Sequence, residues 1–261
     1  MESFSLRRMP PVLLASFILL VLVVWVLNTL LTLNHGQFSF SLDDPYIHFA
    51  LAEHILQGHY GINEGEYSAP SSSIIWPFLV APFMLLEQGD YAVLGLNVLL
   101  SLGTLAIAAN LFDQMIDAES RKKWHAKVIM LVCLILWSNM VGLIFTGMEH
   151  SLHVFLTILL LHGLIGEART RTVSAWLVTA IVVAPLVRYE AAAFSGVALL
   201  YLFFRGHRLA SVLMGLALLL TVGGFSLFLK SLGLNYLPSS VTAKSVTMGA
   251  GGVLNGILWN M

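Results

Sequence analysis

The chain has 261 residues, 58% of them hydrophobic and only 10% charged, with a mean hydropathy of +0.86. A soluble domain carries about 25% charged residues to solvate its surface, so most of this surface must meet lipid. The net charge of −1 and the lack of a basic block argue against nucleic acid as a partner, and the single cysteine, Cys133, excludes a disulfide framework and a CxxC metal site.

The first apolar stretch runs from Val12 to about Leu33, behind Arg7 and Arg8. It is longer than the apolar core of a signal peptide and no small-residue cleavage site closes it, so it reads as a retained first span. The two arginines assign the N-terminus to the cytoplasm, and the chain emerges outside for an outer loop over residues 34–90. From Asn34 to Phe112 there is no lysine or arginine, whereas Asp43, Asp44, Glu53, Glu64, Glu66, Glu87 and Asp90 are all present. Basic clusters return at Arg121-Lys122-Lys123, at Arg169 with Arg171, and at Arg205 with Arg208, each expected in the cytoplasm.

Within the outer loop, Asp44 followed by Pro45 starts a helix over about 45–57. The stretch 74–86 is about 20 Å long as a helix, short of the roughly 30 Å core, and contains Pro77 and Pro82. Only an odd number of crossings fits before the Arg121 cluster, so 74–86 is expected to be interfacial or re-entrant and 91–112 to be the second span. The third span is expected at about 127–146 and the fourth at about 151–166, with Thr146–His150 as an outer turn. The run from Thr172 to Phe204, interrupted at Pro185, Arg188 and Glu190, reads as a hairpin of two short spans, 173–187 and 191–204, because a single span would put Arg205 and Arg208 outside. A seventh span, 209–229, leads outward to Lys230 and Asn235–Ser245. Residues 246–261, with four glycines, make a poor span, and no internal repeat is visible. The expectation is an all-α polytopic membrane protein with about seven spans, one transmembrane module over 1–261, and interfacial helices in its first outer loop.

This topology sends Asp43, Asp44, Glu149, Arg188, Glu190 and Lys244 to one side. Ionisable groups near a bilayer are costly and usually face a cavity and a partner, although any single one also suits an ordinary span end where it snorkels to water. Asp43 and Asp44 are adjacent carboxylates, suited to general-base work or to a divalent cation; as an N-cap, Asp44 would leave Asp43 to react. His48, His54 and His59 do not share a helical face. Glu149 and His153 do, at i and i+4, but no third ligand at helical spacing completes a zinc site.

Five pieces in order carry a family resemblance: Asp43-Asp44-Pro45-Tyr46-Ile47-His48-Phe49-Ala50 with Gln57-Gly58-His59-Tyr60-Gly61; Tyr67-Ser68-Ala69-Pro70; Thr146-Gly147-Met148-Glu149; Val187-Arg188-Tyr189-Glu190; and Leu237-Pro238-Ser239 through Ala243-Lys244. Together they resemble the GT-C glycosyltransferases, and are most similar to the branch containing mycobacterial arabinofuranosyltransferases and related bacterial enzymes. Tyr189 stands where that branch usually has proline, Ser239 where it has asparagine, and Ser71–Trp76 pads a Pro-Leu-Trp step. Family members are longer, with further spans and often an outer C-terminal domain, so the chain resembles their shared seven-span module, as a truncated product, as one part of a split enzyme whose second polypeptide supplies the missing spans, or as a minimal form.

The resemblance implies an inverting transferase of the bacterial cytoplasmic membrane, acting in cell-envelope assembly at its outer face. It would move a sugar from a polyprenyl-phosphate donor to a glycan, lipid or protein acceptor. Asp43 would be the base, with Asp44 assisting or sharing a divalent cation. Arg188 and Lys244 would clamp the lipid phosphate, and Tyr46, His48, Tyr67, Glu149 and Glu190 would line the cavity. A transporter or flippase is the alternative from another class, since intramembrane charges and a broken helix suit it, but no second half related to the first is present. A non-catalytic subunit of a split transferase is a third reading.

Overall fold

A computed structural model describes residues 9–115 and 122–241. It is all-helical among the described residues, in the order α1 (Pro11–Leu33), α2 (Asp44–Leu56), α3 (Trp76–Val80) running into a 3-10 turn (Ala81–Leu85), α4 (Gly89–Met115), α5 (Lys122–Trp137), α6 (Met140–Phe145), α7 (His150–Thr170), α8 (Ala175–Val187), α9 (Ala191–Phe204) and α10 (Arg208–Ser231). Among the described residues, four helices are long and apolar enough to cross a membrane: α1, α4, α7 and α10. Four more stretches, α3 with its 3-10 turn, α5, α8 and α9, are apolar but shorter. Their outer faces are as apolar as their cores: Trp137 is 92% exposed, Phe204 82% and Leu220 74%. Patches of that kind are rare on a soluble monomer and ordinary against lipid.

The helix boundaries follow the apolar runs closely, with three differences. The stretch expected as one span at 127–146 is broken. Helix α5 stops at Trp137, Asn139 adopts the left-handed conformation (φ 48°), and α6 restarts at Met140. Asparagine accepts this geometry more readily than most residues, and Gly142 leaves room for the Asn139 side chain, whose nearest atom would lie 2.3 Å from a Cβ there.

The second difference is at Pro185, which does not interrupt its helix but lies inside α8; the break falls at Arg188–Glu190. Proline has no N–H to give to the carbonyl four residues earlier, that of Ile181. The Ser195 hydroxyl of α9 donates to that carbonyl instead, at 2.8 Å, from a fully buried position.

Third, α2 begins at Asp44, so the residue preceding the helix is Asp43, and Asp44 belongs to its acidic first turn, where the helix dipole favours negative charge. The segment 74–86 is short and bent: α3 ends at Val80, where the chain tightens into the 3-10 turn around Pro82.

The chain forms two compact units, with the boundary falling inside α2 and inside α8. The first comprises the chain to Pro45 with Leu86–Ala180, the second Tyr46–Leu85 with the chain from Ile181 onward. In the first, α4 packs along α7, and α1 lies against α4 and α5, around Leu19, Leu105, Leu131, Ile135 and Ile144. Glycines set the close approaches: Phe155 packs on Gly103, and Leu177 on Gly163. In the second, α9 and α10 pair, and α10 contributes Phe225 and Leu229 to a core with Leu51, Tyr60, Ala69 and Ile74.

Candidate functional site

In the first unit the site starts from the turn between α6 and α7. Thr146 ends α6, its hydroxyl donating to the Leu143 carbonyl at 2.7 Å and accepting from the Met148 N–H at 3.4 Å. Gly147 then takes φ +68°. The Phe40 ring occupies the space a Cβ would need, 2.8 Å away, so the glycine is required by backbone and by packing together.

Phe40 is held in turn. Phe38 meets it edge-on, with centroids 4.9 Å apart, and also contacts Tyr91 and Phe145. One residue on, Ser41 donates through both its N–H and its hydroxyl to the Phe145 carbonyl, each at 3.0 Å. The loop that delivers Asp43 and Asp44 is therefore fastened to the turn that delivers Glu149. Both aspartates are exposed. Glu149 is fully buried, and its carbonyl accepts the His153 N–H at 2.9 Å, which puts the two side chains on one face.

The second unit gathers other predicted residues. The segment after Tyr67 folds on its serines: Ser71 Oγ donates to the Ser73 carbonyl at 2.7 Å, and Ser73 Oγ accepts from the Trp76 N–H at 3.1 Å, starting α3. The Ile74 and Ile75 N–H groups both donate to the Leu186 carbonyl, at 2.9 and 3.1 Å. That carbonyl is available because α8 stops at Val187. The segment thus docks just before the hairpin tip, where Arg188 pairs with Glu190 at 3.2 Å. The Arg188 side chain is 19% exposed and that of Glu190 60%, so the cation is the more enclosed partner.

At the segment's other end, Ser239 donates through its N–H and hydroxyl to the Ala69 carbonyl, at 2.9 and 3.1 Å. This brings Leu237-Pro238-Ser239 to Ser68-Ala69-Pro70. Lys244 lies outside the described residues.

Tyr67 is exposed and stacks on His59 with centroids 4.9 Å apart. His59 Nε2 sits 3.2 and 3.0 Å from the Asn63 and Glu66 carbonyls, a donor geometry that fixes the ring. The ring of His54 approaches that of His59 at 5.6 Å, although the two share no helical face. Tyr46 packs edge-on against Phe49, and His48 is buried.

Two phenols were given no role in the sequence reading. Tyr60 and Tyr189 belong to one apolar cluster. Burial raises both hydroxyls, Tyr189 to about 12, and the neighbouring Tyr189 raises Tyr60 further.

Asp43 and Asp44 supply two carboxylates for a cation. Among the described residues no group of three His, Cys, Asp or Glu is placed to hold a metal ion, so a divalent cation there would need oxygens from water or from a phosphate.

In the sequence pieces that carry the resemblance, then, neighbours come in two sets: the Asp43-Asp44 loop with the Glu149 turn, and the Tyr67–Pro70 segment with the Arg188 tip and with Leu237–Ser239. Compared with known proteins, the chain matches no family model, no curated protein and no solved structure.

Proposed function

We propose that this chain is a membrane glycosyltransferase module of the GT-C type, crossing the bacterial cytoplasmic membrane seven times and using a polyprenyl-phosphate sugar at the outer face. The single observation that carries the reading is the fastening of Ser41 to the Phe145 carbonyl, which holds an exposed acidic loop beside a buried glutamate at one turn. An acidic pair in a long outer loop directly after the first span suits chemistry at the lipid surface better than a midplane transport path.

In this reading the seven crossings are α1, α4, α5 with α6, α7, α8, α9 and α10, while α3 and its 3-10 turn lie in the interface. Asp43 removes the proton from the acceptor hydroxyl as it attacks the anomeric carbon, and the lipid phosphate leaves with inversion. Charge developing on that phosphate needs a cationic clamp, the role given to Arg188 and Lys244. Glu190 holds the Arg188 guanidinium in place.

The test is transfer from a radiolabelled polyprenyl-phosphate sugar in membranes holding each variant at matched expression. Asp43→Asn keeps shape and removes the base, so turnover should fall by about 10²–10⁴-fold with donor binding retained. Arg188→Ala should weaken donor binding as well. Asp44→Asn, which trims only the first turn of α2, should lose modest stability and keep most activity. Full activity in Asp43→Asn would remove the assigned base.

A further inference from the structure

One buried feature lies apart from the acidic loop. On α4, Asn97, Ser101 and Thr104 fall at i, i+4 and i+7, and all three are buried, 0%, 2% and 1% exposed. This polar stripe faces inward in a helix otherwise lined by Val93, Leu94, Leu105 and Ala108. Ser101 and Thr104 open onto a small cavity of about 10 Å³, also lined by Ser138, Met140 and Leu143 at the α5–α6 break and by Ser151 and Val154 of α7. That is room for one water-sized occupant.

The hydroxyls around it are not equivalent. Ser101 donates to the Asn97 carbonyl at 2.8 Å, Thr104 to that of Leu100 at 2.9 Å, and Ser138 to that of Leu134 at 2.6 Å. Their protons are committed, so these three oxygens offer only lone pairs to the cavity. Ser151, 3% exposed, has no protein partner for its hydroxyl among the described residues. Leaving such a group dry is costly. No side chain lining the cavity is charged, so a neutral occupant that both donates and accepts satisfies it better than an ion would.

We propose that this cavity is an internal water site: one water accepts from Ser151 Oγ and donates to Ser138 Oγ and to the Ser101 or Thr104 oxygen, tying α4 and α7 to the break between α5 and α6. Three bonds are typical of buried waters, and a helix break at membrane depth is tolerated where it lines such a site.

The test uses the full chain in nanodiscs. A density map fine enough to show ordered water should place a peak within hydrogen-bond distance of Ser151 Oγ, Ser138 Oγ and the Ser101 or Thr104 hydroxyl, unchanged when NaCl is replaced by choline chloride. Ser151→Ala should lower Tm by about 2–4 °C, the shift expected for one lost hydrogen bond in a chain of this size. In a dry cavity the same change removes an unsatisfied group and leaves Tm equal or higher. Ser151→Val fills the space and should also lower Tm if a water is displaced, but raise it if the space is a void. An empty cavity in the map would overturn the proposal. So would a wild-type Tm that rises with NaCl and not with choline chloride, because the occupant would then be an ion.

Discussion

At the scale of single residues, Gly147 and Tyr189 carry the sharpest consequences. A side chain at Gly147 meets both a left-handed backbone and the Phe40 ring, so Gly147→Ala should cost about 2 kcal/mol or more, read as a lower Tm. It should also loosen the loop ahead of Asp43, so the proposed sugar transfer should fall even below the melting range. Tyr189 tests burial in a different way. Its hydroxyl is held protonated up to about 12 in the folded chain, against 10.0 ordinarily. The folded state therefore binds this proton more tightly, and the associated stability is present below pH 10 and lost as pH rises from 10 towards 12. Tyr189→Phe should leave stability at pH 7 nearly unchanged and reduce the loss over that alkaline window, measured by unfolding at fixed pH. Gly147, Tyr60 and Tyr189 all lie in the pieces that carry the resemblance, but the burial of the two phenols was not legible there, because their environment is built by residues far away in sequence.

Among the helical elements, α8 is the clearest case of a local rule answered by a distant partner. Pro185 should weaken the helix four residues back, and Ser195 repairs it from α9. Ser195→Ala should leave the Ile181 carbonyl unsatisfied at a buried position, costing about 1–3 kcal/mol, visible as a lower Tm with helix content retained. The extents of α1, α7, α9 and α10 could be read directly, since apolar length decides them and caps only trim the ends. The break inside the expected 127–146 span could not. Ser138 and Asn139 are compatible with a helix, and what separates α5 from α6 is the side chain of Asn139 lying over Gly142. The stripe of Asn97, Ser101 and Thr104 was present in the sequence at helical spacing, and its period alone could have revealed it; that it borders a cavity depends on α7.

For the molecule as a whole, the four described helices that are long and apolar enough to cross a membrane fit a membrane protein, while the proposed seven crossings depend on which face each loop meets. Cysteine placed at Glu87, in a Cys133→Ser background, should be labelled by an impermeant reagent in intact cells. Labelling only after permeabilisation would mean that α3 and its 3-10 turn cross the membrane. Charge asymmetry predicts that side, because lysine and arginine are absent from Asn34 to Phe112. It says nothing about which outer segments touch. Those pairings rest on individual carbonyls, such as Phe145 and Leu186, whose availability follows from where a helix stops.

The Leu186 carbonyl also sets an order of events during biogenesis. The Ser73 hydroxyl reaches that carbonyl across a sequence separation of 113, and the Ile74 and Ile75 amides join it there. The ribosome delivers residues 73–75 long before their acceptor, since chains emerge N-terminus first. Two amides beside an apolar surface must meanwhile bond to water or to a holding factor. They can be released only after α8 has been made and its end has formed. The 67–75 segment of this protein is thus synthesised early and paired late, and a nascent chain stalled before residue 186 should leave that segment more open to proteolysis than the finished chain.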